Sequence, residues 1–414
     1  MSMFGLVDGN NFYASVERAF DPRLIGKPIL VLSNNDGAVI ARSAEAKALG
    51  IAMGQPIHEV PPDVRRRCSI RSANFALYGD ISGRIVSILR DLFPRVEIYS
   101  IDESFITFDG IPDPIAMSRQ ARARIHRWTG IPCCIGLGPT KTLAKASNKL
   151  AKRTLHGVLS ITDPARQLAD LPIEDVWGVG RRWAARLGAE GVLTAADLLD
   201  MDPETLRARY GVTLARTQRE LQGIACADLV DHEPDRQQIV VSRSFGRDID
   251  DLDQLQEAVS SFAIRACEKL RHRALVAGGV CVWVHTNPFK PQAHQYHPSR
   301  ALTLPVATSD TRQVLEAVRS LCTGMFRCGY LYKKAGIALL DLTHEDHHQA
   351  DLFSSVPPRS PALMQVLDKA NRKFGRGAVG FASSGWRKQP AWAMKQAHLS
   401  PSYTTRWQDL PKVR

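Results

Sequence analysis

Residues 96–108 read VEIYSIDESFITF, and two apolar runs flank the acidic pair Asp102 and Glu103. The runs at 96–101 and 105–108 have the length and the β-branched and aromatic content of strands, so the stretch predicts a hairpin with the acids at its tip. Neighbouring residues on a regular strand face opposite ways, and only a tip or a bulge lets both carboxylates reach one site. The hairpin therefore predicts a pair of acidic ligands at one end of a sheet.

A third acid, Asp8, follows a buried strand predicted at residues 3–7. The segment GNN at 9–11 supplies turn and capping residues before a predicted helix at 12–20, whose first backbone N–H groups would suit a triphosphate. Two metal ions about 3.5–4 Å apart need carboxylates from separate segments, and hard oxygen ligands favour Mg²⁺ over zinc. Taken singly, an acid after a strand or at a hairpin tip is more commonly just a solvated turn carboxylate. The candidate catalytic and metal-binding residues are Asp8, Asp102 and Glu103.

The rest of the chain predicts an α+β multidomain protein. Alternating strands and helices, including a hairpin signal NNDG at 34–37, predict a mixed sheet packed with helices. Short helices around the turn WGVG then predict a small helical domain, and the later order βαββαβ predicts a split-βαβ domain. A polar, proline-rich linker and a basic tail follow. The predicted domains are residues 1–165, 166–235, 236–345 and 346–414.

The composition favours a polyanionic partner. Lys and Arg number 54 against 42 Asp and Glu, a net charge of +12 that suits nucleic acid. Residues 357–414 hold eleven of these cations and two acids, so the tail carries about +9. The eight cysteines form no CxxC pair, which argues against a zinc site. No apolar run approaches the ~20 residues of a spanning helix, and the N-terminus begins at a strand, so we expect a cytoplasmic protein without membrane contact.

Several of these motifs carry a resemblance to a known family. The segments LVD at 6–8, NFYASVE at 11–17 and YSIDESF at 99–105 resemble the Y-family translesion DNA polymerases. SNNDGAVIARS at 33–43 and VSRSFG at 241–246 are similar to the UmuC type, the catalytic subunit of DNA polymerase V. The resemblance extends over nearly the whole chain, to YTTR at 403–406.

The resemblance implies a right-hand polymerase with palm and fingers, a helix-hairpin-helix thumb and a little finger. It implies error-prone translesion synthesis on primed template DNA with dNTPs, in SOS mutagenesis and DNA repair. Two Mg²⁺ ions would be held by the three acids, with the carbonyl of Gly9 as a further ligand, and Tyr13 would be a steric gate that excludes a ribose 2′-OH. Many relatives carry Tyr and Arg in the fingers where this chain has Ala44 and Lys47. The expected nucleotide-binding residues are Asn11, Phe12, Tyr13, Arg42, Lys47 and Lys152.

Further contacts and partners follow from the same resemblance. The expected DNA-binding residues are Gly178, Gly180, Arg181 and Arg243. QADLF at 349–353 resembles the short peptide that holds the sliding clamp, through Gln349, Leu352 and Phe353, although packing on the little finger is the alternative. HEDHH at 344–348 fits HExxH, but it follows a strand and opens a linker, so we reject a zinc protease. A UmuD-type accessory dimer and the RecA filament are implied as partners.

Two rival hypotheses remain at this stage. The chain could bind the clamp and the primer end and so slow replication without synthesis of its own. A nucleotidyl cyclase or a two-metal nuclease could also use a sheet with paired acids. The intact carboxylates argue against the first rival, and product analysis would separate the second.

Overall fold

The computed structural model describes residues 3–230, 236–347, 360–375, 377–385, 390 and 392–410, and its chain divides into two compact units. Unit 1 comprises Met1–Glu233 together with Ala397–Arg414. Unit 2 comprises Pro234–Gln396. The end of the chain therefore belongs to the same unit as its beginning.

Unit 1 contains two sheets. Its strands are β1 (Phe4–Gly9), β2 (Ile29–Leu32), β3 (Val39–Arg42), β4 (Ser69–Ser72), β5 (Val96–Ile98), β6 (Glu103–Thr107), β7 (Cys133–Gly138) and β8 (Val158–Ser160). The central sheet has the order β5-β6-β1-β7-β8, and the small sheet has the order β3-β2-β4. Strands β5 and β6 pair antiparallel, which confirms the predicted hairpin with Asp102 in the turn before β6.

Helices cover the central sheet on both faces. In unit 1 they are α1 (Phe12–Phe20), α2 (Ala44–Ala48), α3 (Pro62–Arg67), α4 (Phe75–Leu92), α5 (Pro114–Thr129), α6 (Lys141–Ala151), α7 (Pro164–Gln167), α8 (Arg181–Gly188), α9 (Ala195–Asp200), α10 (Pro203–Tyr210) and α11 (Val212–Leu221). Val7 and Ile106 pack with α4 and α5, whereas Leu6 and Phe105 pack towards Ala144 of α6. Side chains alternate along a strand, so Asp8 shares the α6 face with Leu6, and Glu103 shares it with Phe105.

Helix α6 approaches the sheet closely because β7 carries glycine where they meet. A Cβ on Gly136 would lie 2.0 Å from the backbone nitrogen of Asn148 and 2.4 Å from the carbonyl oxygen of Ala144. The Asn148 side chain donates hydrogen bonds to the carbonyl oxygens of Leu6 and Cys134, at 3.0 and 2.8 Å. Thr140 caps the helix by accepting from the Leu143 N–H group. These contacts fix α6 against the two strands that carry the site.

The small sheet departs from the sequence-based expectation in two details. Strands β2 and β3 pair antiparallel, as the NNDG segment predicts. Their connection is a 3-10 turn at Asn34–Asp36 with Asn35 and Asp36 at φ 62° and 51°, so it is longer than a two-residue hairpin. Strand β4, which pairs parallel with β2, was not predicted because its sequence SIRS has only one apolar residue.

Helices α7 to α11 form a small helical subdomain with its own core. Leu168, Leu187, Leu198, Leu206 and Leu221 are fully buried in it. The Gln218 amide lies in this core and donates to the carbonyl oxygens of Leu198 and Met201, at 2.9 and 2.6 Å. The short helices predicted around the WGVG turn are present.

Unit 2 has the predicted βαββαβ order. Its elements are β9 (Ile239–Ile249), α12 (Leu252–Arg271), β10 (Leu275–Thr286), β11 (Ser299–Thr308), α13 (Thr311–Met325) and β12 (Tyr332–His344), followed by α14 (Ser360–Phe374). The sheet order is β11-β10-β12-β9. Arg271 on α12 pairs with Asp368 on α14 at 2.7 Å, and Trp392 packs against Phe245 and Phe262.

The HExxH segment does not form the helix that a zinc protease requires. His344 ends β12, and Glu345–His347 form a single 3-10 turn, while His348 lies outside the described residues. The rejection of this signature is therefore supported. Of the helices in the ranges given above, none is long and apolar enough to cross a membrane.

We predict that Gly136→Ala destabilises unit 1 by about 3 kcal/mol, because the new methyl group would overlap the backbone of α6. Gly83→Ala is the matched control: Gly83 lies exposed within α4, a Cβ there meets nothing within 4 Å, and alanine should stabilise the helix by about 0.5–1 kcal/mol. Urea unfolding of the full-length variants measures both effects. Equal stability of the two variants would contradict the close packing of α6 on β7.

Candidate active site

Asp8 and Glu103 lie side by side on neighbouring strands. The antiparallel register of β1 and β6 pairs Asp8 directly with Glu103. Residues opposite each other in such a pair have Cβ atoms about 4.5–5.5 Å apart on the same face. Asp8 is therefore part of β1, not a turn residue after it, and the two carboxylates meet at one end of the central sheet.

The hairpin turn brings the third acid to the same end. The backbone N–H group of Gly9 donates to the carbonyl oxygen of Asp102 at 2.9 Å. The Ser100 hydroxyl donates to the Asp102 carboxylate at 2.6 Å and accepts from the N–H group of Glu103 at 3.0 Å. Asp102 is exposed and lies at the tip, as its sequence context predicted.

Two lysines neutralise these acids: Lys145 of α6 and Lys152, the residue that caps the C-terminal end of α6. Lys152 donates to the Asp8 carboxylate at 2.6 Å. Lys145 donates to both carboxylate oxygens of Glu103, at 2.9 and 2.8 Å. The two lysines are seven residues apart, so they lie two turns apart on one face of the helix. Sequence reasoning found Lys152 and missed Lys145, although this spacing was a signal that pointed to it.

Lys145 is held in place by aromatic rings. Its ammonium group lies 4.5 Å from the ring centroid of Tyr99 and 5.6 Å from that of Trp177. The Trp177 indole donates to the Tyr99 hydroxyl at 3.1 Å, and the two rings meet edge to face. This aromatic brace, Tyr99 and Trp177, fixes the cation that contacts Glu103.

The donor chemistry fits divalent metal ions. Three carboxylates from two segments are near enough for Asp102 and Glu103 to raise the pKa of Asp8 through their charges. Burial is the largest cause of that raised pKa, and Lys152 partly opposes it. Within the described ranges, no three His, Cys, Asp or Glu side chains are placed so that together they could hold a metal ion. Lys145 and Lys152 contact two of these carboxylates and offset the repulsion between them.

Helix α1 begins at Phe12, four residues after Asp8. Asn11 occupies the N-cap position with φ 48°, but its side chain makes no hydrogen bond to the helix, so the side-chain cap expected from the segment at 9–11 is not formed by Asn11. The first N–H groups of a helix have no intrahelical acceptor, and they remain available to an anion. The Phe12 side chain is buried in the core, so only its backbone can face a nucleotide.

Tyr13 lies on α1 close to the acid cluster. Burial raises the pKa of its hydroxyl, and the charge of Asp102 adds to this. The ring stacks on Tyr78 with centroids 4.4 Å apart and 16° between the planes, and it meets Phe75 edge to face at 5.9 Å. The ring is therefore backed on one side by a fully buried tyrosine.

The other candidate residues fall in several places. Arg42 ends β3 and Lys47 is exposed on α2, and neither makes an ion pair with any residue that the structure describes. Gly178 has φ 90°, Gly180 precedes α8, and Arg181 is exposed at its first position. Arg243 is exposed on the edge strand β9 of unit 2. The clamp-binding candidates Gln349, Leu352 and Phe353 lie outside the described residues.

Solved structures share this fold. A chimeric Y-family DNA polymerase has a TM-score of 0.66 at 20% identity, covering 83% of this chain and 99% of its own. An insertion ternary complex of Dbh DNA polymerase has a TM-score of 0.55 over the same shares. The fold and the acid cluster define a right-hand polymerase with palm, fingers, a helix-hairpin-helix thumb and a βαββαβ little finger.

Sequence comparison identifies the family. The impB/mucB/samB family model matches residues 7–149, and the model of that family's C-terminal domain matches residues 236–352. Protein UmuC of Salmonella typhimurium is 43% identical over all of both chains, and DNA polymerase IV of Moorella thermoacetica is 30% identical over 92% of this chain and 95% of its own. A domain of unknown function, DUF4113, matches residues 361–413.

The chain belongs to the impB/mucB/samB family, the UmuC type of the Y-family translesion DNA polymerases. It is a DNA-directed DNA polymerase of translesion synthesis, SOS mutagenesis and DNA repair. It therefore acts on template DNA and deoxynucleoside triphosphates, with divalent metal ions.

We predict that Asp8→Asn raises the free energy of unfolding of the metal-free protein by about 1 kcal/mol at neutral pH. The neutral amide removes a buried negative charge that Glu103 and Asp102 repel. The folded pKa of Asp8 is raised, so the charged form costs stability, and this cost grows as pH rises through the folded pKa. Below the ordinary aspartate range the difference should vanish. Unfolding in EDTA from pH 2.5 to pH 8 measures it. A variant less stable than wild type at neutral pH would contradict this account of Asp8.

Proposed function

We propose that Asp8, Asp102 and Glu103 hold two Mg²⁺ ions, with the Gly9 carbonyl as a further ligand, and that these residues catalyse nucleotidyl transfer. The observation that supports this most is the register pair of Asp8 and Glu103, joined to Asp102 through the Gly9 hydrogen bond. When bound, the ions would activate the primer 3′-OH and offset the negative charge of the triphosphate. The protein's own part is to bring the carboxylates to one end of the sheet and to orient the substrate.

We further propose that the triphosphate is held from two sides. The N–H groups at the start of α1, at Asn11, Phe12 and Tyr13, face the phosphates from one side. Lys152 would exchange its contact with Asp8 for a phosphate once a metal ion neutralises the carboxylate. The fingers cations Arg42 and Lys47 would supply further charge.

We propose that Tyr13 is the steric gate. Its ring stacks on the fully buried Tyr78, so it cannot move away from an added 2′-OH without disturbing that stack. A rigid ring excludes the larger sugar by overlap, which is how a site rejects a near-identical competitor.

DNA contacts would be spread over the thumb and little finger. Gly178, Gly180 and Arg181 would present a helix start to backbone phosphate, and Arg243 would add a contact from unit 2. These contacts should depend on salt and tolerate any sequence. In domain terms we assign residues 1–165 to palm and fingers, 166–235 to the thumb, 236–345 to the little finger and 346–414 to the linker and tail.

We propose a sliding clamp, a UmuD-type dimer and a RecA filament as partners, in the cytoplasm. The clamp would take residues 349–353, where Leu352 and Phe353 are the apolar anchors. The family's full-length relatives favour synthesis over the rival in which the chain only blocks the clamp and primer end.

Asp102→Ala should abolish Mg²⁺-dependent primer extension while leaving binding to primed template unchanged, because the lost carboxylate serves the metal ions and not the DNA. Asp109→Ala is a matched control, since this exposed acid follows the opposite end of β6. Primer extension on damaged and undamaged templates, with a binding titration, measures both. Extension by the Asp102 variant at the control's rate would overturn the catalytic assignment.

A comparison of two variants tests the rival hypothesis that the chain only blocks the clamp and the primer end. Asp102→Ala and a variant lacking Leu352 and Phe353 are expressed in damaged cells, and damage-induced mutagenesis and growth inhibition are scored. Synthesis predicts that Asp102→Ala loses mutagenesis. A phenotype that survives Asp102→Ala and is lost only with the Leu352 and Phe353 deletion would favour blocking.

Tyr13→Ala should lower the preference for dNTP over rNTP by about tenfold or more, a change of about 1.4 kcal/mol in relative transition-state binding, because the smaller side chain leaves room for the 2′-OH. Tyr13→Phe keeps the ring and should keep the preference. Single-nucleotide incorporation with matched dNTP and rNTP measures the ratio. An unchanged ratio in Tyr13→Ala would show that the gate lies elsewhere.

A further inference from the structure

The end of the chain folds back into unit 1. The segment Ala397–Leu410, called here the C-terminal strap, lies beside the fingers sheet. The Ser72 N–H group donates to the His398 carbonyl oxygen, and the His398 N–H group donates to the Ser72 hydroxyl, both at 3.0 Å. Ser72 and Leu399 form a parallel bridge, and the Ala397 N–H group donates to Asp36 at 2.8 Å. The strap thus extends the edge of the small sheet at β4.

Beyond that edge the strap enters the core of unit 1. Ser400 is buried, and its hydroxyl donates to the Glu17 carboxylate at 3.0 Å and accepts from the Asn74 amide at 3.0 Å. Asn74 also caps α4 by accepting from the Leu77 N–H group. Tyr403 stacks on Phe20 with centroids 5.2 Å apart. The strap therefore contacts both α1 and the start of α4.

The Glu17 carboxylate joins the strap to the tyrosine behind Tyr13. The same Glu17 oxygen that accepts from Ser400 also accepts from the Tyr78 hydroxyl, at 2.7 Å. Tyr78 is fully buried and stacks on Tyr13. Glu17 follows Tyr13 by four residues on α1, so both side chains lie on one face of that helix. The path from the strap to Tyr13 is two hydrogen bonds and one ring stack.

The position of the buried Glu17 carboxylate depends on each of the few hydrogen bonds that it accepts. Glu17 is 1% exposed, and burial raises its pKa while the hydrogen bonds from Tyr78 and Ser400 lower it. Its nearest cation, Arg71, lies 3.7 Å away, beyond a direct hydrogen bond. Loss of the Ser400 hydroxyl would leave a buried charge under-solvated, and Glu17 with its partner Tyr78 would rearrange to compensate.

We propose that the C-terminal strap is a positioning element for sugar selection: Ser400 fixes Glu17, Glu17 fixes Tyr78, and Tyr78 backs the ring of Tyr13. The inference rests on the proposed role of Tyr13 as the steric gate. It gives a function to part of the segment that the DUF4113 model matches, residues 361–413. Ser400, Glu17 and Tyr78 are positioning residues, because Tyr13 alone would touch the sugar.

The test uses full-length protein with Ser400→Ala and Tyr78→Phe, each of which removes one hydroxyl of the path. Both should lower the ratio of kcat/KM for dNTP over rNTP by roughly three- to tenfold, the range expected for one buried hydrogen bond. Ser402→Ala is the matched control, since no described residue hydrogen-bonds to that hydroxyl. Amide exchange of residues 12–20 and 75–78 should be faster in Ser400→Ala than in Ser402→Ala.

Tyr13→Ala in the same experiment separates the two proposals. If it lowers the ratio while Ser400→Ala and Tyr78→Phe match Ser402→Ala, the strap has no part in sugar selection and the gate assignment stands. If Tyr13→Ala leaves the ratio unchanged, both proposals fail. A fall in incorporation of both sugars by the same factor, or equal amide exchange in the two serine variants, would also overturn the strap's role.

Discussion

The antiparallel pairing of β1 with β6 is the constraint on which the site depends. It sets Asp8 opposite Glu103, and the hydrogen bond from Gly9 to Asp102 adds the third acid. Carboxylates this close repel each other, so the arrangement is unfavourable by itself. The sheet imposes it through buried neighbours on both faces, and α6 offsets it with Lys145 and Lys152. The site is thus a region of unfavourable charge maintained by the packing around it.

The close fit of α6 on β7 serves the same end. Gly136 lets the helix approach the sheet, and the Asn148 amide donates hydrogen bonds to one carbonyl on each of the two strands β1 and β7. Lys145 and Lys152 are thereby positioned over the strands that carry Glu103 and Asp8. Glu103 is contacted by a cation that Tyr99 and Trp177 hold in turn. Palm and thumb residues are therefore linked through one side chain, since Trp177 begins the thumb turn and Lys145 belongs to the palm.

Local patterns were enough to predict the hairpin, the alternating elements of the first 165 residues and the βαββαβ order, because each depends on residues close in sequence. Asp8 and Glu103 could be proposed as partners from chemistry, but their register depends on strand pairing, which no local pattern determines. Lys145 was missed because its partner lies 42 residues away, although its spacing from Lys152 was visible. The strap could not be predicted at all, since Ser400 and Glu17 are separated by 383 residues.

At Asn11 a local pattern predicted a contact that the structure does not contain. Its residue type favours a side-chain helix cap, yet Asn11 has a left-handed backbone and its side chain makes no hydrogen bond to the start of α1. The preference of asparagine for capping a helix is therefore not satisfied at the place where the proposed nucleotide site needs backbone N–H donors. Departures of this kind from local sequence preference are expected at functional sites.

The most direct test of the central claim is the position of the metal ions. Crystals of the full-length protein with primed template, Mn²⁺ in place of Mg²⁺ and a non-hydrolysable dNTP would show the ions by anomalous scattering. We expect two peaks about 3.5–4 Å apart, contacted by Asp8, Asp102 and Glu103, with Lys145 and Lys152 displaced from the carboxylates that they now bind. Ions held by other residues, with both lysine contacts intact, would contradict it.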